Sequence, residues 1–542
     1  MKQINFKLFL LLLAVFNSIQ LFPDDRETVT AVPANDFLNT IGVNSAIYAR
    51  GENMAKTIEC CKYIGARWVR GTSSPTDSII KFYNTSGIKV SCGVGSGNST
   101  LNFNLSNFIN NVKKVAASGA LLAIEGANEP NNWAIRYNDK IGGGKAVNGV
   151  PPDWLPIAKL QRDIYESAKA APELKDYPVW SISANGAQVN NVGLQFLTIP
   201  EDNNTLEMPA GTHYADYANC HNYFVHNNPY TDNQTWRAAD PGTGASPVDG
   251  LYVNYGLTWN KKQVGYSLEE LLTLPRVTTE TGVAINVITD YYQGLMYVST
   301  YLAQFKRGWS YTSMYILRDR TDETGNQTFG FFDPKYNPRP AATYLHNLTT
   351  VIADNESAAA ADLKELTYSI SPSRPATVHE LLLQKKNGTL MLIVWGEKYI
   401  SPAPAPTSIE VKFDEPVGVV NVYNVLVGTE PVQSYTDVTS IPLDMLNYPY
   451  ILEINPVAAS LKNPNINRMQ AYPNPVDDVL YLSSACKLKK AALFDLTGKC
   501  VLQAETAIDN KSIHVEGLPK GSYILKLTDE DNQTENFKII KK

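Results

Sequence analysis

Two glutamates in this sequence stand where short apolar segments end, and both are candidates for acid–base or nucleophilic chemistry. Glu129 follows the apolar run Ala120–Ile124 within the stretch GANEPNN, and Glu280 ends the stretch RVTTE. Glu129 alone could sit in a solvated turn, because asparagine and proline are both common in turns. Glu280 alone could begin a helix. The prediction of chemistry therefore depends on whether the fold brings the two carboxyl groups together.

Three further polar residues stand at the ends of similar segments. Arg70 ends the stretch ARWVR, and His221 and Tyr223 lie in the stretch CHNY. A histidine taken alone is more often structural than catalytic. A buried arginine taken alone is more often an ion-pair partner, and Arg70 could be both. Their position makes them candidates for the site, because each lies at or next to the end of a predicted strand.

Strand and helix patterns alternate between residues 37 and 350. The eight predicted strands are Thr40–Ile47, Ala66–Arg70, Ile88–Gly93, Ala120–Gly126, Val179–Ser183, Tyr217–Asn222, Arg276–Thr279 and Ser313–Leu317. Amphipathic stretches between them predict helices at Asn53–Ile64, Ser106–Ala117, Leu155–Ala170, Tyr291–Lys306 and Ala341–Val351. Eight strands separated by helices predict an α/β fold, a (β/α)8 TIM barrel. An open doubly wound sheet is the alternative, but Gly42-Val43-Asn44 is not the glycine-rich loop that it would need.

In such a barrel the functional residues gather at the carboxyl ends of the strands. Glu129 and Glu280 would then face each other across the mouth of the barrel. Two carboxyl groups that flank one bond are what glycoside hydrolysis requires, one as an acid and one as a nucleophile. Arg70 would keep Glu280 charged. A less polar setting without an adjacent cation would raise the pKa of Glu129 and suit it to general acid catalysis.

The order Asn-Glu-Pro, His-x-Tyr and a later strand-terminal glutamate resembles the clan A glycoside hydrolases, notably families 5 and 39. The resemblance covers roughly residues 37–350. It implies that Glu129 is the acid/base, that Glu280 is the nucleophile, and that the anomeric configuration is retained. It also implies site roles for Asn128 at the sugar 2-hydroxyl, Tyr223 on the nucleophile, and His221 and Arg70 as lining residues. This chemistry requires no metal and no organic cofactor.

The sequence departs from that clan where the eighth strand ends. The clan often places a sugar-stacking tryptophan there, whereas this chain has Tyr315, followed by Arg318 and Asp319. One of these must fill the role. Trp133 and Trp236 are the predicted sugar platforms elsewhere, and Trp236 lies in the long aromatic connection Phe224–Gly265. We expect Glu125, which lies inside the fourth strand, to form an ion pair within the barrel or on its wall.

The segments outside the barrel predict an exported protein. Residues 1–22 have the charged start and apolar run of a signal peptide. The predicted barrel spans residues 33–352, and short strands at 360–456 predict a β-sandwich. A linker at 457–468 precedes a small β-sandwich at 469–542. The last segment, with YPNPVDD and FDLTGK, resembles the type IX secretion sorting domain of the Bacteroidota, which implies contact with that machinery and release or anchoring at the cell surface.

Composition narrows the function further. The net charge of −6 is spread without long runs of one sign, so we expect no nucleic-acid partner. No segment after the signal peptide is apolar enough to span a bilayer, and we expect a monomer. The prediction is a secreted retaining hydrolase of β-linked polysaccharides or oligosaccharides. The competing class is a non-catalytic surface protein that keeps the barrel as a scaffold for glycan binding.

Overall fold

The structure is a computed structural model, and the residues it describes fall into several ranges. These are 26–71, 74–145, 147–148, 152–185, 212–223, 275–322, 328–354, 360–372, 374–375, 377–398, 405–455, 469–472, 474–484, 487–495, 499–505, 512–529 and 534–542. The predicted signal peptide, the predicted linker, the connection Phe224–Gly265 and its Trp236 lie outside the described residues. Two compact units divide the chain after residue 457.

The first unit begins with two short strands, β1 (Glu27–Thr30) and β2 (Val32–Pro33), and contains an eight-stranded parallel barrel. The strands that follow, through the barrel, are β3 (Ile41–Asn44), β4 (Trp68–Arg70), β5 (Lys89–Ser96), β6 (Leu121–Asn128), β7 (Ile135–Tyr137), β8 (Lys140–Gly142), β9 (Val179–Trp180), β10 (Ala184–Asn185), β11 (Ala218–His221), β12 (Arg276–Thr281) and β13 (Trp309–Met314). The described helices are α1 (Ala34–Leu38), α2 (Met54–Tyr63), α3 (Thr76–Ser86), α4 (Leu105–Ala117), α5 (Leu155–Ala170), α6 (Asp290–Lys306) and α7 (Pro340–Val351).

The barrel is nearly closed, which confirms the predicted fold class. Strand β13 pairs in parallel with β3, so that the eighth barrel position meets the first. The fifth position consists of two short pieces: β9 pairs with β6, and β10 pairs with β11. The hairpin β7–β8 lies outside the barrel wall, in the connection that follows β6.

Several strand bounds differ from prediction, and two of these differences have identifiable physical reasons. The fifth strand is interrupted at residues 181–183, where Ser181 directs its hydroxyl to the carbonyl of Ile182. The eighth strand begins at Trp309 rather than Ser313. Its first residues mix serine, threonine and aromatic side chains, and the indole N–H of Trp309 donates to Thr278 Oγ1 at 2.9 Å. Polar residues with partners inside the barrel wall therefore hid the start of this strand.

Capping residues explain where several helices begin and end. The Asn53 side chain accepts a hydrogen bond from the backbone of Lys56 at the start of α2, and Asn104 does the same for Asn107 at the start of α4. Helix α3 ends at Gly87, whose φ of 74° is left-handed and suits glycine. These helices pack their apolar faces against the outside of the barrel, in one core with Ile58, Phe82 and Val112.

A second β-sheet domain follows the barrel within the same unit. Its strands are β14 (Glu365–Ser371), β15 (Val378–Gln384), β16 (Leu390–Gly396), β17 (Thr407–Asn424), β18 (Gln433–Met445) and β19 (Tyr450–Asn455). The hydrogen-bonded order is β1-β14-β17-β19-β16-β15-β2, with β18 also on β17. Strand β17 is long and irregular, and its register with β18 shifts between Lys412 and Val417, around Pro416.

The second domain packs on helices α6 and α7 of the barrel. Trp395 and Ile393 of β16 belong to the same apolar core as the barrel helices. Lys306 at the end of α6 donates to the Glu380 carboxylate at 2.9 Å, and Arg307 forms a two-bond ion pair with buried Glu397. Apolar contact and paired charges therefore join the barrel to this domain.

The second unit is a small all-β domain. Its strands are β20 (Met469–Tyr472), β21 (Val479–Ser484), β22 (Leu488–Phe494), β23 (Cys500–Glu505), β24 (Ser512–His514), β25 (Gly521–Asp529) and β26 (Thr534–Lys541). They form a three-stranded sheet, β20-β21-β24, and a four-stranded sheet, β23-β22-β25-β26. Leu480, Leu493 and Leu525 lie in the core of this unit.

Candidate active site

The carboxyl ends of the barrel strands bring the predicted polar residues together. Arg70 ends β4, Asn128 ends β6, His221 ends β11, and Glu280 lies near the end of β12. Arg70, Asn128 and His221 are buried. Glu129, directly after β6, is also buried, and 12% of the Glu280 side chain is exposed.

The two candidate carboxylates lie close together. One oxygen of Glu129, one of Glu280 and a ring nitrogen of His221 are all within 4.8 Å of one another. Glu129 has a φ of 43°, a left-handed conformation that L side chains rarely adopt. Such strain persists where the surroundings impose it, and it is concentrated at functional sites. The turn after β6 thus holds the Glu129 carboxyl group toward Glu280.

Glu280 is held from two sides. Its Oε1 accepts a hydrogen bond from Arg70 Nη1 within a buried ion pair. Its Oε2 accepts a hydrogen bond from the Tyr223 hydroxyl at 2.6 Å. Burial raises the pKa of Tyr223 well above its usual value, and the nearby Glu280 carboxylate raises it further, so this phenol keeps its proton and remains a donor.

Glu129 is held by a histidine and an amide. His221 Nδ1 lies 2.9 Å from Glu129 Oε1, and Asn132 Nδ2 donates to Glu129 Oε2 at 3.0 Å. Burial raises the pKa of Glu129, but the hydrogen bond and charge of His221 lower it more, so the net direction is downward. The prediction of a raised pKa without an adjacent cation is therefore wrong. The sequence predicts His221 as a lining residue, but the spacing of the His-x-Tyr pattern does not show that this histidine contacts Glu129.

Arg70 also fixes the orientation of Asn128. Arg70 Nη2 donates to Asn128 Oδ1 at 2.8 Å. Because the carbonyl oxygen of this amide is occupied, its NH2 group is the one that can serve a ligand; it lies 3.4 Å from Ser96 Oγ. The amide is thus presented as a donor beside the two carboxylates.

Glu125 lies beneath these residues. The sequence predicts it as an ion-pair residue within the barrel but gives it no role in the site. Glu125 forms a buried ion pair with Arg70, accepting from Nη2 at 2.5 Å and from Nε at 2.9 Å. Its Oε1 also accepts from the Thr279 hydroxyl at 3.1 Å. The signal was available: the alternation in β6 turns Glu125 inward, because its neighbour Gly126 faces Gln161 of α5 on the outside.

Tyr315, Arg318 and Asp319 are the three candidates to replace the tryptophan that the clan often has after the eighth strand, and the structure gives them different contacts. Arg318 donates to the carbonyl of Pro334 at 3.0 Å, and Asp319 pairs with Arg339. Both therefore hold the loop that leads to α7. The ring of Tyr315 instead packs edge-on to Tyr223 at 6.2 Å, next to the Glu280 contact.

Trp133 lies on the other side of the site. Its backbone N–H donates to the carbonyl of Glu129 at 2.9 Å, and half of its surface is exposed. The turn that carries Glu129 therefore carries an exposed indole four residues later. Trp236, the other predicted platform, lies outside the described residues.

The same cluster is the one group among the described residues that could hold a metal ion. Its members are Glu129, His221 and Glu280. The guanidinium of Arg70 is ion-paired with Glu280, and this adjacent positive charge opposes the binding of a cation. This donor set therefore fits a metal centre poorly.

Comparison with known proteins separates the two ends of the chain. Residues 470–542 match the family model of the secretion system C-terminal sorting domain. A comparison with curated protein sequences finds no match. In the part of the chain that the structure describes, no helix has the length and apolar character needed to cross a membrane.

Solved structures resemble a large part of the chain. A family 39 glycoside hydrolase from the gut symbiont Bacteroides cellulosilyticus WH2 matches with a TM-score of 0.51 and 16% identity, over 78% of this chain and 82% of that one. SrfJ from Salmonella typhimurium matches with a TM-score of 0.41 and 8% identity, over 79% and 93%. A β-glucuronidase from Bacteroides uniformis matches with a TM-score of 0.35 and 10% identity, over 95% of this chain and 64% of that chain.

At these identities the likeness shows the fold alone. Of the three matches, the family 39 enzyme, with a TM-score of 0.51, supports the fold, and this match agrees with the resemblance to family 39 in the sequence. The sorting domain indicates secretion or display at the cell surface and implies interaction with the export machinery. The chain therefore has a glycoside-hydrolase-like fold and ends in a type IX secretion sorting domain.

Proposed function

We propose that this protein is a secreted retaining glycoside hydrolase that cleaves β-glycosidic bonds in a polysaccharide or oligosaccharide. Glu129 is the acid/base and Glu280 is the nucleophile. The observation that carries the proposal is the approach of the two carboxylates to within 4.8 Å. Retaining enzymes separate these groups by about 5 Å, whereas inverting enzymes need about 6.5–9.5 Å to admit a water molecule.

In the first step Glu280 attacks the anomeric carbon and forms a glycosyl–enzyme ester. The hydrogen bonds from Arg70 and Tyr223 occupy one oxygen each, and they fix the carboxylate plane for attack. At the same time Glu129 gives its proton to the oxygen of the leaving group. Concerted donation avoids an unstable alkoxide.

The lowered pKa of Glu129 is compatible with this role because His221 is so close. A proton that leaves Glu129 has an acceptor at Nδ1, 2.9 Å away. Carboxylic acid with neutral imidazole, and carboxylate with imidazolium, differ only in the position of one proton between the two atoms. The pair as a whole therefore keeps the proton that the leaving oxygen needs.

In the second step Glu129 acts as a base. It removes a proton from a water molecule that enters the space of the leaving group, and this water attacks the ester carbon. Two inversions at one carbon return the original anomeric configuration. Asn128, whose carbonyl is held by Arg70, donates its NH2 to the sugar 2-hydroxyl through both transition states.

Partly buried Tyr315 and exposed Trp133 would bind the sugars on the two sides of the scissile bond. Tyr315 lies beside Tyr223 and hence on the nucleophile side, where the sugar that forms the ester sits. Trp133 follows Glu129 in the same turn and belongs to the side of the leaving group. Stacking on an aromatic face suits the flat apolar surface of a β-linked sugar.

Glutamine substitutions test the proposal directly. Glu129→Gln and Glu280→Gln keep side-chain size and remove the acid or the nucleophile, so hydrolysis of unactivated β-glycans should fall by at least about a thousandfold. Glu59→Gln on the exposed face of α2 is the matched control. The measurement is reducing-sugar release by the full secreted chain from β-glucans, mannans, xylans and exopolysaccharides.

Two results would contradict the proposal. If both glutamine variants hydrolyse a glycan at the wild-type rate, the assigned residues are wrong. If the wild type and the variants cleave none of the panel but bind one member with equal affinity, the protein is a glycan-binding scaffold rather than an enzyme.

A further inference from the structure

The hydrogen bonds around His221 define which of its ring nitrogens carries the proton. His221 Nε2 lies 3.1 Å from Thr279 Oγ1. The Thr279 hydroxyl has one hydrogen, and it faces two oxygens that can only accept: Glu125 Oε1 at 3.1 Å and Asn219 Oδ1 at 3.0 Å. Its hydrogen is therefore taken, and Thr279 can only accept from His221.

It follows that Nε2 of His221 carries a hydrogen and donates it to Thr279. In neutral imidazole the other nitrogen, Nδ1, is then bare and is an acceptor. This atom faces two carboxylates: Glu129 Oε1 lies 2.9 Å from it and Glu280 Oε2 lies 3.4 Å from it. A bare nitrogen opposite two ionised carboxylates is unfavourable, so a proton is retained between Nδ1 and Glu129.

We propose that Thr279 and Glu125 are positioning residues that fix His221 in the Nε2–H form, and that this form keeps the catalytic proton on the Glu129–His221 pair. The inference rests on the proposed function for its catalytic consequence. Neither residue touches the substrate. Glu125 acts through Thr279 and through Arg70, and Thr279 acts through His221.

The alternative ring form shows why this matters. If Nδ1 carried the hydrogen in neutral imidazole, it would donate to ionised Glu129 and stabilise the state that has lost the catalytic proton. The enzyme would then lose its acid at a lower pH. The Thr279 oxygen disfavours the Nδ1–H form, because in that form the lone pair of Nε2 would face a lone pair of this oxygen.

The charged groups around this pair come from several strands. They are Arg70 on β4, Glu125 on β6, Glu129 after β6, Tyr223 after β11 and Glu280 on β12. Arg70 bonds with both Glu125 and Glu280, so the negative charge of Glu125 partly balances this cation next to the pair. Glu125 therefore contributes charge as well as orientation.

The first test is Thr279→Val, which keeps the shape and removes the acceptor, with Thr279→Ser to restore the hydroxyl. Thr278→Val is the matched control, because its hydroxyl contacts Gln304 and Trp309 instead. The ring form is read by nitrogen-15 NMR of histidine-labelled full-length protein, which contains six histidines. His221→Asn assigns the signal.

We expect the Nε2–H form in the wild type, Thr279→Ser and Thr278→Val, and the Nδ1–H form in Thr279→Val. Among these four proteins, the basic limb of the pH profile of kcat/KM should move down, by about one pH unit, only in Thr279→Val. Glu125→Gln should move the same limb down, because it removes a negative charge near the pair. A merely structural role would lower activity at every pH without moving the limb.

The outcomes are separable from those of the proposed function. A wild-type Nδ1–H signal, or an unchanged ring form in Thr279→Val, overturns the inference without reference to activity. An altered ring form with an unmoved basic limb overturns the positioning role. Hydrolysis that survives Glu129→Gln and Glu280→Gln overturns the proposed function, whatever the NMR result.

Discussion

His221 Nδ1 lies 2.9 Å from the Glu129 carboxylate, and both side chains are buried. The two groups are therefore placed to hold one proton between them. The contact joins β11 to the turn after β6, so the acid/base candidate is controlled by a residue 92 positions later in the chain.

Replacement of His221 should move the pH profile downward. In the wild type two groups can hold the catalytic proton, whereas in His221→Asn the Glu129 carboxyl group holds it alone. The basic limb of kcat/KM against pH should fall, and exposed His213→Asn should leave it in place. An upward shift would contradict the shared proton.

Glu129→Ala should show a dependence on the leaving group. An activated aryl β-glycoside needs little protonation, so formation of the ester stays fast while its hydrolysis slows, and a burst of phenol should precede a slow steady state. Azide needs no general base and should restore turnover by at least about tenfold. The product expected by NMR is the β-glycosyl azide. The absence of azide rescue would argue against Glu129 as the base.

Glu280→Ala should give the opposite stereochemistry. The small side chain leaves room for azide on the face that the nucleophile occupied, and direct attack on a β-glycoside inverts the anomeric carbon. The product expected is the α-glycosyl azide, with no burst. If Glu280→Ala and Glu129→Ala gave the same anomer, the two roles would be assigned wrongly.

Tyr223→Phe tests the orientation of the nucleophile. The variant loses only the hydroxyl that donates to Glu280 Oε2 at 2.6 Å. Hydrogen bonds to charged groups contribute about 1.5–3 kcal/mol, so kcat/KM should fall by about ten- to a hundredfold. The melting temperature should change little, since the ring remains packed against Tyr315. An unchanged kcat/KM would mean that Arg70 alone suffices to hold the carboxylate.

Glu397→Gln tests the contact between the barrel and the second domain. Burial raises the pKa of Glu397, but Arg307 and His379 lower it more, to about 2. The folded protein therefore gains stability from this group above an ordinary carboxyl pKa of about 4.5, and it loses that gain as the pH falls toward 2. The difference amounts to about 3 kcal/mol.

Calorimetry of the full chain should show Glu397→Gln to be less stable than the wild type at neutral pH, with the gap closing as the pH falls below about 4.5. Glu430→Gln, at an exposed position of the second domain, should match the wild type throughout. A gap that stays constant with pH would show that packing, rather than the ion pair, sets the stability of this contact.

The sequence predicted the barrel because its strands carry the apolar pattern of buried parallel sheets, and because polar residues recur where those strands end. It also predicted that Arg70 meets Glu280. It did not predict the direction of the Glu129 pKa, since that direction depends on a three-dimensional contact with His221. The contact reflects the bend after β6 and a register shift between Cys220 and His221, neither of which the pattern of residues reveals.

The sequence did not predict the positioning role of Thr279 and Glu125 for a different reason. Glu125 stands in the mainly apolar strand β6, where a lone charged residue is ordinarily read as a structural ion pair, and Thr279 is one of three threonines in β12. Glu125 does form the expected ion pair with Arg70. Their link to His221 depends on the Thr279 hydroxyl, which donates its hydrogen toward Glu125 and Asn219 and therefore accepts a hydrogen bond from His221.

The pairing of β1 with β14 and of β2 with β15 means that residues before the barrel complete a sheet that is built after it. A fragment limited to residues 33–352 would lack the sheet against which α6 and α7 pack. It would therefore expose the apolar surface of these two helices to solvent. During synthesis the first strands emerge more than 300 residues before their partners, so this sheet is completed only after the whole barrel sequence has been made. The second domain therefore depends on a segment that lies on the other side of the barrel in the sequence.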